Sequence, residues 1–102
     1  MKKPKEWSDN ELFEAIKTYM EMLHLERSGI PYSKTVYRRA LISGPLSKRS
    51  EGSIEFRMQN ISSFRANQGT EWIQGYKPMD HIGENVSDRL RKLFERYNRE
   101  VK

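Results

Sequence analysis

The stretch Arg49–Gly69, RSEGSIEFRMQNISSFRANQG, decides how this chain folds. Ser50 is the kind of residue that caps the start of a helix, with Ser53 after the glycine as the alternative cap. When successive residues turn by about 100°, three apolar side chains fall on one face of that helix. They are Ile54, Met58 and Ile61. The stretch therefore predicts a helix that ends at Asn67-Gln68-Gly69 and buries these side chains.

The opposite side of this helix is polar and small apart from Phe56. Gln59 and Asn60 are of the type that makes paired hydrogen bonds with adenine, while Ser53 and Ser63 are able to reach phosphates or base edges. We therefore expect the far side of the helix to approach a DNA groove.

The start of the same helix predicts a phosphate contact. Ser50 and the unbonded amides of the first turn suit an anion, which the helix dipole also favours. Lys48 and Arg49 directly precede this turn and would add positive charge there.

Ordinary structural roles are the alternative for each of these residues. Gln59 and Asn60 are common surface residues, and a serine cap is mostly only a cap. Arg57 lies on a flank where a salt bridge to Glu11 or Glu14 competes with a phosphate contact. Phe56 lies on the far side, and a loop covering it would hide part of the proposed surface.

Two helices are predicted before this stretch. Ser8-Asp9-Asn10-Glu11 forms a capping box, followed by a helically spaced apolar series from Leu12 to Leu23. This helix is expected to end near Arg27, before the stop signal Ser28-Gly29-Ile30-Pro31.

The second helix is expected to start after Ser33 and to end at Gly44-Pro45. Its predicted apolar face consists of Val36, Tyr37, Ala40 and Leu41. Its basic face consists of Lys34, Arg38 and Arg39.

After the central helix, residues 70–84 form an irregular but aromatic segment that we expect to pack back on the helices as an ordered loop. A closing helix is predicted from Asn85, with Asn85 and Asp88 as its capping pair. Its apolar stripe is Val86, Leu90, Leu93, Phe94, Tyr97 and Val101.

These elements predict a mainly α fold in one domain over residues 1–102, with a flexible start at residues 1–6. The first three helices match the plan of a helix-turn-helix or Myb-like tri-helical unit, and the ordered aromatic loop and the C-terminal helix close it. Many three-helix domains bind proteins instead, so this plan alone does not give the function.

The charge of the chain is concentrated in its centre. The net charge is +5, and residues 33–67 carry seven basic and two acidic side chains, a net +5 by themselves. A localised positive surface attracts nucleic acid through counterion release. The alternative is a solvated basic surface without a partner.

Several classes of function have no support in the sequence. The chain has no cysteine and no apolar run of the length that spans a bilayer, which is about 20 residues. It begins MKKPKEW, unlike a signal peptide. We therefore expect a cytoplasmic, nucleoid-associated protein that does not enter a membrane.

No catalytic, metal or cofactor site is predicted. The two histidines, His24 and His81, have no metal-ligand spacing, and Asp80-His81 is more typical of a structural pair. Trp72 and Tyr76 are candidates for stacking on an extruded or methylated base. The alternative for these two aromatics is that they fill the core between the loop and the helices.

Four motifs carry a resemblance to a known family. They are W-S-x-x-E-L at Trp7–Leu12, Y-x-x-M-L at Tyr19–Leu23, R-S-x-x-S-I-E-x-R-M-Q-N-I-S at Arg49–Ser62 and G-Y-K-P at Gly75–Pro78. In order and spacing they resemble the N-terminal helical domain of bacterial McrA-type HNH restriction endonucleases, from about Trp7 to beyond Val86.

This resemblance implies a DNA-associated module beside a nuclease that acts on foreign or modified DNA. It places Arg49, Ser50, Ser53, Ile54, Arg57 and Asn60 in the family motif. The chain departs from the family because no HNH segment follows, so we expect either a domain of a larger enzyme or a stand-alone relative. A stand-alone copy would be a phage or mobile-element regulator or an inhibitor.

Double-stranded DNA is therefore the predicted partner, and a nuclease domain or a second copy of the chain are further partners to consider. In this prediction Lys34, Arg38, Arg39, Lys48 and Arg49 hold phosphates, while Ser53, Gln59 and Asn60 approach the groove. The rival prediction is a protein-interaction or dimerisation module that docks through Phe56 and the aromatic loop.

Overall fold

A computed structural model describes residues 6–79 and 82–101, and these residues contain four α-helices. They are α1 (Asp9–Arg27), α2 (Lys34–Ile42), α3 (Glu51–Asn67) and α4 (Glu84–Val101). The described residues contain no strand, and the mainly α prediction is confirmed. The helix-turn-helix or Myb-like arrangement stays a prediction. The predicted flexible start, apart from Glu6, and the Asp80-His81 pair lie outside the described residues.

Helix α1 begins with the predicted capping box. The Ser8 hydroxyl accepts the Glu11 amide at 3.1 Å, and the Glu11 carboxylate accepts the Ser8 amide at 2.8 Å. Two of the unbonded amides at the helix start are satisfied in this way. The helix ends at Arg27 as predicted. One face of α1 packs on α3 and α4, which places it at the centre of the fold.

Helix α2 starts and ends close to the predicted positions, with Ser33 as its cap. Its predicted apolar face is confirmed in part, because Leu41 is buried and Tyr37 packs partly against the core, whereas Val36 is 61% exposed and Ala40 is also exposed. The helix has nine residues and lies at the edge of the bundle, so it contributes one deep side chain to the core.

Helix α3 is capped by Ser50, whose hydroxyl accepts the Ser53 amide at 3.1 Å. The alternative cap, Ser53, is therefore wrong. The predicted core face is confirmed, since Ile54, Met58 and Ile61 are at most 1% exposed. The helix ends at Asn67 as expected.

The segment between α3 and α4 packs back on the helices, as predicted for its described part. Ile73 and Tyr76 are buried. The Ile73 amide donates to the Tyr19 hydroxyl at 2.9 Å, and the same hydroxyl is 2.7 Å from the Ser62 hydroxyl. These bonds fix the loop against α1 and α3.

Helix α4 begins at Glu84, so Asn85 lies within the first turn and the predicted cap at Asn85 is wrong. In its apolar stripe Leu90, Leu93 and Phe94 are buried, and Val86 and Tyr97 pack partly against the core. Val101 is 49% exposed, so the stripe stops one turn before the end of the helix.

Candidate nucleic-acid interface

The basic residues of segment 33–67 keep most of their positive charge in the folded chain. Within the described residues, Arg38 and Arg49 have carboxylate oxygens within ion-pair distance. Lys34, Arg57 and Arg65 donate instead to uncharged oxygens. Neutral partners do not cancel charge, so most of the positive charge predicted for this segment has no carboxylate partner among the described residues.

Arg49 is the most firmly held of the predicted phosphate contacts. Its Nε donates to Glu11 Oε2 at 2.9 Å and its Nη2 to Glu11 Oε1 at 2.7 Å. These bonds lower the pKa of the Glu11 carboxyl and raise the pKa of Arg49. The Arg49 side chain is 14% exposed. Arg49 therefore serves first as a link between the turn before α3 and the start of α1.

Lys34 and Arg38 extend from α2 toward the loop and α3. Lys34 Nζ donates to the Gly75 carbonyl at 2.9 Å and lies 4.4 Å from the centre of the Tyr76 ring. Arg38 Nη2 is 3.9 Å from Glu51 Oε1, and its Nε is buried without a hydrogen-bond partner. A ligand would have to compete with these internal contacts.

Arg39 and Lys48 are the predicted phosphate contacts that remain open to solvent. In residues 6–79 and 82–101, neither side chain makes a hydrogen bond or an ion pair. Their charges are available to an incoming polyanion at no cost in lost internal contacts.

The far face of α3 is covered over part of its length, which corrects the prediction that Asn60 and Ser63 face solvent. Both are buried, at 3% and 2% exposure. The Ser63 hydroxyl accepts the Met79 amide at 2.6 Å and donates to the Met79 carbonyl at 3.2 Å, while Asn60 Nδ2 lies 3.1 Å from Met79 Sδ. The loop segment at Met79 therefore occupies the position where Asn60 was expected to meet a base.

An open strip remains on the first half of α3. It contains the exposed Gly52 and Phe56 and the half-buried Gln59, and Phe56 is 47% exposed. A side-chain carbon added at Gly52 would meet no other atom within 4 Å. The sequence left open whether the loop covers Phe56. The loop instead covers Asn60 and Ser63 and leaves Phe56 exposed.

Ser50 and Ser53 bond to each other across the first turn. The Ser53 hydroxyl donates to the Ser50 carbonyl at 3.1 Å, in addition to the capping bond from the Ser53 amide. Ser50 is exposed and Ser53 is half-buried. Ser50 is therefore the more accessible of the two predicted contacts.

Arg57 is half-buried beside Trp7. Its Nη1 donates to Asn60 Oδ1 at 3.0 Å, and its guanidinium carbon is 5.5 Å from the centre of the Trp7 ring. The alternative salt bridges from Arg57 to Glu11 or Glu14 are wrong, because these carboxylates pair with Arg49 and Lys17. Burial, followed by the nearby charges of Arg89 and Arg49, lowers the pKa of Arg57.

Tyr76 is not available for base stacking, which corrects that prediction. It is 1% exposed and stacks on Tyr19 with ring centres 6.3 Å apart. Burial raises its pKa to about 12. The alternative that Tyr76 fills the core is confirmed. Trp72 is partly exposed and lines a shallow cleft with Glu26 and Arg27.

Helix α4 brings two cations close to α3 that the sequence did not predict there. Arg89 and Lys92 line one cleft together with Arg57 of α3. They are three residues apart, which places them on one side of a helix. This spacing was the available signal in the sequence, which otherwise predicted only the capping pair and the apolar stripe of α4.

No helix in the described part of the chain has the length and apolar character needed to cross a membrane. Those residues also contain no cluster of three or more side chains suited to holding a metal ion.

No protein-family model, curated protein or solved structure matches the chain. The resemblance to the N-terminal domain of McrA-type endonucleases therefore stays a prediction that rests on the motifs themselves.

Proposed function

We propose that this chain is a non-catalytic double-stranded DNA-binding domain that docks on the duplex through the exposed first half of α3. The observation that carries the proposal is the charge of segment 33–67, which is net +5 and finds few carboxylate partners in the fold. Uncompensated positive charge at one surface attracts the DNA backbone and makes the affinity depend on salt.

The exposed residues suggest which side chains contact phosphates and which contact bases. Arg39 and Lys48 hold phosphates, and Ser50 with the first-turn amides of α3 holds another at the helix N-terminus. Gln59 on the open strip approaches base edges. Asn60 and Tyr76 have no place in this revised interface, since both are buried.

The biological setting is proposed from the motif resemblance. A domain of this kind beside a nuclease would deliver the nuclease to foreign or modified DNA in a cytoplasmic, nucleoid-associated location. A stand-alone copy would act as a regulator or inhibitor that uses the same surface.

A fluorescence-anisotropy titration of a labelled duplex tests the proposal. We expect binding at micromolar protein and low salt. A plot of the logarithm of the affinity against the logarithm of the salt concentration should have a slope of about −0.9 for each phosphate contact. Lys48→Glu and Arg39→Glu should each weaken binding strongly. Arg99→Glu is the matched control, because it makes the same type of charge reversal on the exposed end of α4.

Two results would overturn the proposal. One is no binding of the wild-type chain at micromolar protein and low salt. The other is an equal loss of affinity in Arg99→Glu and Lys48→Glu, which would show that net charge acts rather than this surface. Methylated and unmethylated duplexes in the same titration would show whether modification is read.

A second candidate function is supported by Phe56, whose ring is 47% exposed at the centre of the open strip. An exposed aromatic with polar neighbours is typical of a protein-docking surface. Light scattering on the wild type and on Phe56→Ala separates the two functions. A dimer that dissociates in Phe56→Ala, together with absent DNA binding, would favour the interaction module.

A further inference from the structure

An open cleft of about 480 Å³ lies between the flank of α3 and the first half of α4. The residues that line it carry three positive and two negative side chains, together with one amide and one apolar side chain. They are Glu6, Arg57, Asn85, Val86, Asp88, Arg89 and Lys92. Lys92 is exposed at its rim, and Arg57 is half-buried within it.

Three arginines surround Trp7 at this point, and they are not equally compensated. Arg49 has Glu11 as a two-point partner, and Arg89 Nη2 lies 2.8 Å from Asp9 Oδ1 while donating to the Trp7 carbonyl at 2.7 Å. Arg57 is half-buried, and its hydrogen bond within the described residues goes to the uncharged amide oxygen of Asn60. No carboxylate of the described residues lies within ion-pair distance of Arg57.

The half-buried position of Arg57 beside two other arginines costs free energy when no anion is bound. A guanidinium that loses water on burial normally gains a carboxylate or an anion in exchange. Here its pKa is lowered first by burial and then by the charges of Arg89 and Arg49, and the nearby Glu6 carboxylate offsets this only in part. Charged groups held at such a cost in a cleft are typical of binding sites.

We infer that this cleft binds a phosphodiester group of a nucleic-acid backbone. Arg57 and Arg89 supply planar guanidinium donors, Lys92 supplies a mobile ammonium, and Asn85 supplies an uncharged amide donor. The bound phosphate replaces the missing counter-charge of Arg57. The inference rests on the proposed function in that the phosphodiester belongs to DNA.

The charge of the lining favours a diester over a phosphate monoester. Glu6 and Asp88 line the cleft beside its three cations, and Asp9, outside the lining, pairs with Arg89 at 2.8 Å. The cleft therefore suits an anion that brings a single negative charge, as a phosphodiester does. A monoester carries about −1.5 to −2 at neutral pH, so it would meet repulsion from the two carboxylates. Backbone contact rather than capture of a phosphorylated small molecule is the better fit.

The cleft also adjoins the proposed DNA-binding strip on α3. Arg57 lies on the flank of α3 next to the open strip that contains Phe56, and its guanidinium carbon is 5.8 Å from the centre of the Phe56 ring. A duplex seated on the strip would run its backbone along this flank. The α4 residues would then contact the phosphate that follows those held at the start of α3.

The test is a titration of the folded chain with dimethyl phosphate, observed at the arginine Nε–Hε resonances by NMR. We expect a saturable shift of the Arg57 resonance that sodium chloride at equal ionic strength does not produce. Inorganic phosphate at neutral pH should bind more weakly. Lys92→Gln, on the exposed rim, should reduce the affinity several-fold, and Arg99→Gln should leave it unchanged.

Duplex titrations of the same variants complete the experiment. Lys92→Gln should lower the salt slope of duplex binding by about 1, as expected for one lost phosphate contact. An Arg57 resonance that does not move with dimethyl phosphate would overturn the inference, even if the duplex binds. A specific shift with dimethyl phosphate and no duplex binding would instead retain the site and reject the DNA-binding function.

Discussion

Arg49 and Glu11 form a two-point ion pair that joins the turn before α3 to the first turn of α1, with nitrogen–oxygen distances of 2.9 and 2.7 Å. The same carboxylate accepts the Ser8 amide, so one side chain completes the capping box and holds the entry to α3. Arg49 Nη2 also donates to the Glu6 carbonyl. The pair therefore sets where the proposed DNA-binding helix begins relative to the centre of the fold.

Arg49→Ala should lower the free energy of unfolding by about 1–3 kcal/mol, because it leaves a shielded carboxylate without its charged donor. Urea denaturation measures the change. Lys17→Ala is the control, since the Lys17–Glu14 pair is exposed and should contribute less than about 1 kcal/mol. A double-mutant cycle with Glu11→Gln should show coupling; additive effects would contradict a direct interaction.

The Glu11 pair also predicts how stability depends on pH. Arg49 lowers the pKa of Glu11 below its ordinary value of 4.5, so the folded state binds this proton less readily than the unfolded state. The resulting stabilisation is complete above the unfolded pKa and is lost as the pH falls through the folded pKa. Urea midpoints should therefore fall as the pH drops below about 4.5, and Glu11→Gln should make that decline shallower. An unchanged slope in Glu11→Gln would contradict the assignment.

The Tyr19 hydroxyl is a buried junction between α1, α3 and the loop. It meets the Ser62 hydroxyl at 2.7 Å and accepts the Ile73 amide at 2.9 Å, and burial raises its pKa. Tyr19→Phe should cost about 1–3 kcal/mol, because the buried Ile73 amide loses its acceptor. Tyr37→Phe removes an exposed hydroxyl 3.3 Å from Glu21 and should cost much less. Equal losses of unfolding free energy in the two variants would show that the buried Tyr19 hydroxyl stabilises the fold no more than an exposed one.

Helix boundaries were readable from the sequence because they depend on local chemistry. Ser8, Ser33 and Ser50 each cap a helix through a bond to an amide three residues on, and such a bond needs no tertiary partner. The core face of α3 was equally local, since apolar spacing alone selects Ile54, Met58 and Ile61.

The candidate site was harder to predict from the sequence because it depends on which other segments pack over each face of a helix. Helical spacing placed Asn60 and Ser63 on the polar side of α3, but it gives no information on a loop 16 to 19 residues away that bonds to them through Met79. The pairing of Arg49 with Glu11, 38 residues apart, has the same origin. Charge composition predicted a basic surface, and only tertiary contacts decide which of its cations stay open.

Ser63 should control the attachment of this loop. Its hydroxyl is the acceptor for the Met79 amide at 2.6 Å and the donor to the Met79 carbonyl at 3.2 Å. Ser63→Ala should speed hydrogen exchange at the Met79 amide while exchange at α1 core amides changes little, because loop opening is a local event. Ser53→Ala is a suitable control, as its hydroxyl bonds only within the first turn of α3. Unaltered Met79 exchange in Ser63→Ala would mean that other contacts hold the loop.

Two phenylalanines of α3 allow its orientation to be tested by making the same change, Phe to Ala, at each position. Phe64 is 7% exposed and stacks on Phe94 with ring centres 5.4 Å apart, whereas Phe56 is 47% exposed. Phe64→Ala should cost about 3–5 kcal/mol through lost burial and the cavity left behind. Phe56→Ala should change stability by about 0.5 kcal/mol or less, as for other surface positions. Thermal or urea unfolding of both variants measures the difference. Comparable losses would mean that Phe56 is covered in solution, and the open strip on α3 would then be unavailable to DNA.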